Sequence, residues 1–165
     1  MFKKEDYVVH SGHGLCQVLD LVHNDSLNKD FYKLQTMHNH MTIMMPSDNA
    51  SAYLRPILTK DSLVKIMNQS YMISNEYIKD NKERKVAFQL LITSNDIQDT
   101  IKLLKMLYHL LEDKRQEKKT LGSFDTQFLQ QAERKLLNEL SIGLNISKEE
   151  ALALMYERLK VQHVY

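Results

Sequence analysis

The spacing of apolar residues changes along the chain, and this change restricts the possible folds more than any other feature. Up to about residue 58 the apolar stretches are short and alternate with polar residues, as at 15–22 and 31–36, which is the period of strands. From about Asn75 onward they recur at steps of three and four residues, which is the period of helices. The sequence therefore predicts a β region, a hinge near residues 68–76 and a helical region.

Four or five short strands are predicted before residue 58. Residues 7–9, 15–22 and 31–36 read as strands, and residues 41–45 form a further extended stretch. Pro46 ends that stretch because proline has no N–H to donate to a strand ladder. So many strands in so short a segment require a small, strongly bent sheet or barrel.

The helical region contains several amphipathic stretches. Helices are predicted at 61–69, at 78–92, from a cap at Ser94 or Asn95 into the charged run 112–119, at 126–142, and from Ser147 to about Leu159. The helix after Ser94 has the widest apolar stripe, so it is expected to lie at the centre of the bundle. The predicted fold is α+β with two domains, a small bent β-sheet or barrel at 1–68 and a compact all-α bundle at 75–165.

Composition excludes several classes of protein. The chain has 22 Lys and Arg against 21 Asp and Glu, so its formal net charge of +1 does not indicate a strongly basic nucleic-acid binder. Its one cysteine, Cys16, allows no internal disulfide and fits a reducing compartment. The sequence shows neither a signal peptide nor a stretch of ~18 consecutive apolar residues. We therefore expect a soluble cytoplasmic protein with no membrane partner.

Two stretches of the β region carry a family resemblance. They are YVVHSGHG at residues 7–14 and MTIMMPSDNASAYLR at residues 41–55. In order and separation they resemble the motifs of the N-terminal domain of the CarD family of bacterial transcription regulators, a domain shared with the transcription-repair coupling factor. The matching residues are Asp6, Val8, Val9, His13, Gly14, Met41, Thr42, Ile43, Met44, Pro46, Asp48, Asn49, Ala50, Leu54 and Arg55. The resemblance implies a Tudor-like β domain that binds the β subunit of RNA polymerase.

The resemblance also implies where polymerase binds. In the family, the strand corresponding to residues 41–45, or its neighbour around residues 21–24, pairs edge to edge with the polymerase, and such pairing tolerates sequence change because it uses backbone groups. The expected interface residues are Asn24, Met41, Ile43, Met44 and Met45. Family members often carry basic residues at the positions of Asn24 and Met44, so the contact expected here is less electrostatic. The alternative role for this strand is in the core of the domain, which alternate residues fill in either case.

The helical region resembles the family more weakly, up to about Ser141. The matches in its second half are Leu121, Asp125, Leu129, Ala132, Leu136, Glu139 and Leu140. Arg84 matches a family arginine, and Asn81 stands where the family has a tryptophan that wedges into the minor groove at the upstream edge of the transcription bubble. The chain has no tryptophan, so a weaker effect on open complexes is expected. Tyr77 and Phe88 are the aromatic residues nearby, and Phe88 is expected in the core.

Two sets of polar and basic residues are candidates for contact with promoter DNA. They are Asn81, Lys82, Arg84 and Lys85, and then Lys114, Arg115, Lys118 and Lys119. Each phosphate neutralised adds sequence-independent, salt-dependent affinity, so weak and non-specific binding is expected, delivered by polymerase. Acidic residues are interleaved with both sets, which is typical of a solvated helix face. The alternative is therefore an adaptor whose helical half recruits another protein.

Catalysis and metal binding are not indicated by any motif. No phosphate-binding loop, nucleophile elbow or metalloprotease motif is present in the sequence. His10, His13, His23, His38 and His40 cluster in the chain near Cys16, but they lack the paired spacing of a zinc site. We expect a protein that is not an enzyme and uses no metal or cofactor, and that acts as a CarD-like regulator of open-complex stability.

Overall fold

A computed structural model describes residues 1–74, 76 and 78–159. The chain divides into two compact units, Met1–Ile57 and Leu58–Tyr165. The first unit is an antiparallel sheet and the second is helical, which confirms the predicted α+β fold class with two domains. Leu63 and Met67 of the first helix are buried in the helical core, so residues 58–68 belong with the second unit. The sequence-based division had placed them in the β domain.

The first unit is a five-stranded antiparallel sheet with the order β4-β3-β2-β1-β5. Its strands are β1 (Tyr7–His10), β2 (Gly14–Asn24), β3 (Lys29–Thr36), β4 (Thr42–Pro46) and β5 (Leu54–Pro56), and a 3-10 helix (Ser47–Ala52) links the last two. Gly14 has a φ of 71°, which glycine adopts without strain, at the turn into β2. A register shift between Val18 and Asp20 marks a bulge, and such bulges increase local twist and bend a strand.

The main apolar cluster of the sheet brings together alternate residues of the strands, while Val9 and Leu15, which are paired with each other, are buried outside it. The cluster consists of Val8, Cys16, Val18, Tyr32, Leu34, Met45, Ala50 and Leu54. Cys16 lies within this core, and its burial raises the pKa of the thiol to about 12. Since the thiolate is the reactive form of cysteine, Cys16 is a packing residue.

The second unit consists of five α-helices and a short 3-10 turn in the part of the chain that the structure describes. They are α1 (Lys60–Asn68), the 3-10 turn (Ser70–Met72), α2 (Asn81–Thr93), α3 (Ile97–Gln116), α4 (Ser123–Leu144) and α5 (Lys148–Leu159). The predicted centre of the bundle is confirmed, because α3 buries Leu103, Leu104 and Leu107 completely. None of the helices in the described residues is both long and apolar enough to cross a membrane.

Side-chain caps mark the beginning of α2 and α3. Asp80 accepts a hydrogen bond from the Glu83 backbone N–H at 2.9 Å, which starts α2. The predicted cap of α3, Ser94 or Asn95, is wrong, because Asp96 caps α3 by accepting from the Gln98 N–H. Ser94 instead donates its hydroxyl to Asp99.

Candidate functional site

The strand β4 forms one end of the sheet. Within residues 1–57, all of which the structure describes, β4 pairs with β3 and with no other strand. Its side chains alternate, so that Ile43 and Met45 turn toward the core while Thr42, Met44 and Pro46 are exposed. The strand therefore presents an open edge of hydrogen-bonding groups beside an exposed methionine.

Along β4, alternate residues direct their backbone N–H and C=O groups toward β3 or toward the open edge. Thr36 donates its backbone N–H to the Met41 carbonyl at 2.9 Å. Because paired and unpaired positions alternate along an antiparallel ladder, Ile43 and Met45 also direct their backbone groups toward β3. Met44 lies between them and directs its N–H and C=O away from the sheet. Met44, like Thr42 two residues before it, can thus donate to, and accept from, an added strand.

The two ends of the sheet differ in how well their edges are protected. Proteins discourage unwanted strand pairing with short edge strands, charged side chains and prolines. At one end β5 has all three, since it is three residues long and contains Arg55 and Pro56. At the other end β4 has no charged residue and only Pro46 at its last position. Of these two end strands, β4 is therefore the less protected, while residues 21–24 of β2 extend beyond β1 and pair only with β3.

A row of apolar side chains borders the β4 edge on the face of the sheet opposite the core. Phe31 of β3 is paired with Val22 of β2 on one side and with Pro46 of β4 on the other. Met44 lies on the same face, with its side chain 50% exposed, and Val22 is 37% exposed. We call these four residues the outer row. Sequence reasoning included Val22 only within the alternative edge at 21–24 and did not identify Phe31 or Pro46 as interface residues, although pairing residues 31–36 with 41–46 across the turn at 38–40 would have placed Phe31 opposite Pro46.

In the helical unit, Arg84 forms an internal ion pair with Asp125. Its Nε and a terminal nitrogen donate to the two carboxylate oxygens of Asp125, at 3.2 and 3.0 Å. The two side chains are only 12% and 7% exposed. Arg84 also donates to the Ile78 carbonyl. The pair fastens the start of α2 to the start of α4, so it stabilises the bundle and leaves the Arg84 guanidinium away from the surface.

The same α2–α4 contact brings the two predicted basic sets to one end of the helical unit. The Lys85 ammonium lies 5.3 Å from the centroid of the Phe124 ring at the start of α4. The set 114–119 covers the end of α3 and the link to α4, which begins at Ser123. Charges at this end are interspersed, because Arg115 lies 3.7 Å from Glu112 and Lys119 lies 3.4 Å from Glu117.

Residues 2–58 match the family described as the CarD-like/TRCF RID domain. The N-terminal unit is a CarD-like domain. The match spans both motif stretches and all five strands, which confirms the resemblance, and the domain supports an RNA polymerase-interacting role. The helical unit lies beyond the matched residues. Comparison with curated proteins gave no match.

The CarD-like domain places the predicted polymerase-binding residues in different environments. Met44 and Met41 are exposed, at and just before β4, whereas the side chains of Ile43 and Met45 pack on the core side. Asn24 ends β2 and accepts a hydrogen bond from the Leu27 N–H at 3.0 Å, so its amide stabilises the β2–β3 turn. Of the predicted set, Met44 alone combines an exposed side chain with backbone groups directed to the open edge.

Asn81 and Phe88 lie in different environments. Asn81 is exposed as the first residue of α2, where it follows the cap residue Asp80. Phe88 is buried and packs edge-on against Phe128, as expected for a core residue. Tyr77 lies outside the described residues. A polar amide therefore occupies the exposed first position of α2.

The histidines of the CarD-like domain take part in local contacts. His10 and His13 have ring centroids 4.9 Å apart, and the His10 Nδ1 accepts from the Gly12 N–H at 3.0 Å. The His23 Nδ1 lies 2.7 Å from a carboxylate oxygen of Asp30 across the β2–β3 hairpin. Among the described residues, no group of three or more histidine, cysteine or acidic side chains is arranged to hold a metal ion.

Proposed function

We propose that this chain is a non-catalytic, CarD-like transcription regulator that binds the β subunit of RNA polymerase through its β4 edge. The observation that carries the proposal is the coincidence of an RNA polymerase-interacting domain with an uncharged end strand whose outer edge is open. An added strand would satisfy the outward N–H and C=O of Met44, and strand addition gives affinity through such backbone bonds. The lack of charge on β4 removes the usual barrier to this pairing.

Binding of the full-length protein to purified RNA polymerase core, with and without promoter DNA, tests this proposal. We expect a complex with polymerase in the absence of DNA, and cross-linking from position 44 to the β subunit. A protein that is folded by circular dichroism but does not associate with polymerase would refute it. A cross-link from position 44 to a different subunit would refute the assignment to β.

We further propose that the helical unit contacts promoter DNA near the upstream edge of the bubble and changes the stability of the open complex. Support comes from Lys82 and Lys85, which are exposed on α2, and from Lys118 and Lys119, which are brought to the same end of the unit. The interspersed acidic residues keep this contact weak. Weak contact is sufficient for a factor already held on polymerase, because tethering raises its effective concentration at the DNA.

One observation favours the alternative that the helical unit recruits a protein. Val86 and Leu90 are one helical turn apart on the outward face of α2, and they are 62% and 67% exposed. An exposed apolar pair flanked by both Lys82 and Glu83 suits a protein surface better than a phosphate backbone. Open-complex lifetimes separate the two candidates: substitution of Lys82 and Lys118 by alanine shortens them if DNA is bound. Loss of function only with Val86→Ser and Leu90→Ser supports the adaptor.

A further inference from the structure

The outer row limits which strands can dock on β4. It consists of Val22, Phe31, Met44 and Pro46. We propose that it selects a polymerase strand with uncharged, apolar side chains, so that docking depends on apolar burial and backbone bonds and is nearly insensitive to salt. This inference rests on the proposed function, because a strand of the polymerase is the occupant.

The geometry of the sheet defines which positions of the incoming strand meet the outer row. Side chains of paired strands that lie opposite each other project from the same face. Residues of an added strand opposite Met44 and Pro46 would therefore project beside the outer row, at alternate positions of that strand. Phe31 extends the apolar surface one strand further, and Val22 extends it by another.

The charged positions nearest this surface have opposite signs. In the register of the sheet, Met44 is opposite Lys33, and Lys33 is opposite Asp20, so the charged positions nearest the edge have opposite signs. The strand β4 itself is uncharged. A charged residue of the partner opposite Met44 would lose water beside an apolar side chain, and the nearest charged residue on this face, Lys33, lies one strand further away. An apolar residue at that position would remove the exposed half of Met44 from water, and this burial would favour binding.

The edge also carries none of the charged side chains that would reject an apolar strand. Edge strands that bear lysine inhibit pairing with apolar segments, and β4 instead exposes Met44 at its centre. At the opposite end of the sheet, β5 keeps Arg55 and Pro56. Because the β4 edge combines outward backbone groups, exposed apolar side chains and no charge, it fits an apolar strand as its occupant.

The test is the affinity of the full-length protein for purified RNA polymerase core at about 0.1 M and about 0.5 M NaCl, where screening of charges differs strongly. We expect the dissociation constant to rise by less than about threefold over this range. Met44→Lys is expected to weaken binding about tenfold, because it places a charge in the apolar contact. Phe31→Ser is expected to weaken binding about fivefold.

The control is Leu27→Ser, since Leu27 is exposed at the β2–β3 turn and lies outside the outer row. It should bind as wild type does. If Phe31→Ser fails to fold, as judged by circular dichroism, Met44→Ser tests the same row at a more exposed position on the edge itself. A weakening by Met44→Ser would support the proposal, and wild-type affinity of that folded variant would overturn it.

Two results would overturn the inference while leaving the proposed function intact. One is a polymerase complex that weakens more than about tenfold on raising the salt. The other is tighter binding by Met44→Lys, which would reveal an acidic residue on the partner strand. Absence of wild-type binding at both salt concentrations would refute the proposed function itself, and this inference with it.

Discussion

Replacement of Arg84 by alanine is expected to destabilise the helical unit more strongly than any loss of a surface charge. Two charge-assisted hydrogen bonds at 3.2 and 3.0 Å would be lost, and the Asp125 carboxylate, 7% exposed, would stay buried without its partner. Removal of one member of a buried ion pair costs about 3–5 kcal/mol. Because 12% of Arg84 is exposed, we expect a value near the lower end, about 3 kcal/mol.

Urea denaturation of the full-length protein, followed by far-ultraviolet circular dichroism, measures this cost. With an m-value of about 1.5 kcal/mol/M, the helical transition should shift by about 2 M. The matched control is Lys85→Ala, one residue away, which removes a cation–π contact worth about 0.5–1 kcal/mol. Replacing both partners, as Arg84→Met with Asp125→Leu, should recover most of the stability, because apolar substitutes leave no buried charge. A loss below about 1 kcal/mol for Arg84→Ala would refute the reasoning.

Three further predictions follow from single positions. Met44→Pro deletes the N–H that points away from the sheet, so it should weaken polymerase binding about tenfold while the domain remains folded by circular dichroism. Met45→Pro is the control: it deletes an N–H that faces β3 and should unfold the domain. Burial and the hydrogen bond to Glu133 raise the pKa of Tyr108. The folded state therefore holds this proton more tightly than the unfolded state, so the stabilisation is present below about pH 10 and is lost as the pH rises above it. In Tyr108→Phe, the free energy of unfolding should decrease less between neutral and alkaline pH, as measured by denaturation curves at each pH. Asn81→Trp should lengthen open-complex lifetime about tenfold after competitor challenge if α2 lies on DNA, since stacking on a base contributes about 1–3 kcal/mol, and an unchanged lifetime would contradict that placement.

The strands were predictable from sequence because burial on one face of a sheet imposes alternation. Tyr32 and Leu34 are buried, whereas Phe31 and Lys33 face the other way, and this pattern is visible in the sequence at 31–36. The open edge was not predictable in the same way. It depends on the strand order, which places β4 at an end of the sheet, and strand order is a property of non-local pairing.

The role of Arg84 was not visible in the sequence for a similar reason. Its partner Asp125 lies 41 positions away, and an arginine within a lysine-rich stretch reads as part of a basic surface. Local periodicity does not separate a buried ion pair from a phosphate contact, because both need the same residue type on a helix. Only the packing of α2 against α4 decides between them.

The different charge patterns of the two units imply an order of events in the proposed function. The interspersed charges near Lys82 and Lys118 give little long-range attraction, so the free protein is not steered to DNA. Docking of β4 on polymerase would hold the helical unit near the promoter at an effective concentration of about millimolar. Non-specific contacts with dissociation constants of about 10⁻⁴ M are largely occupied at that concentration. In the proposed function, polymerase binding would therefore precede DNA contact, and a change at Met44 should reduce effects on the open complex without altering the helical unit.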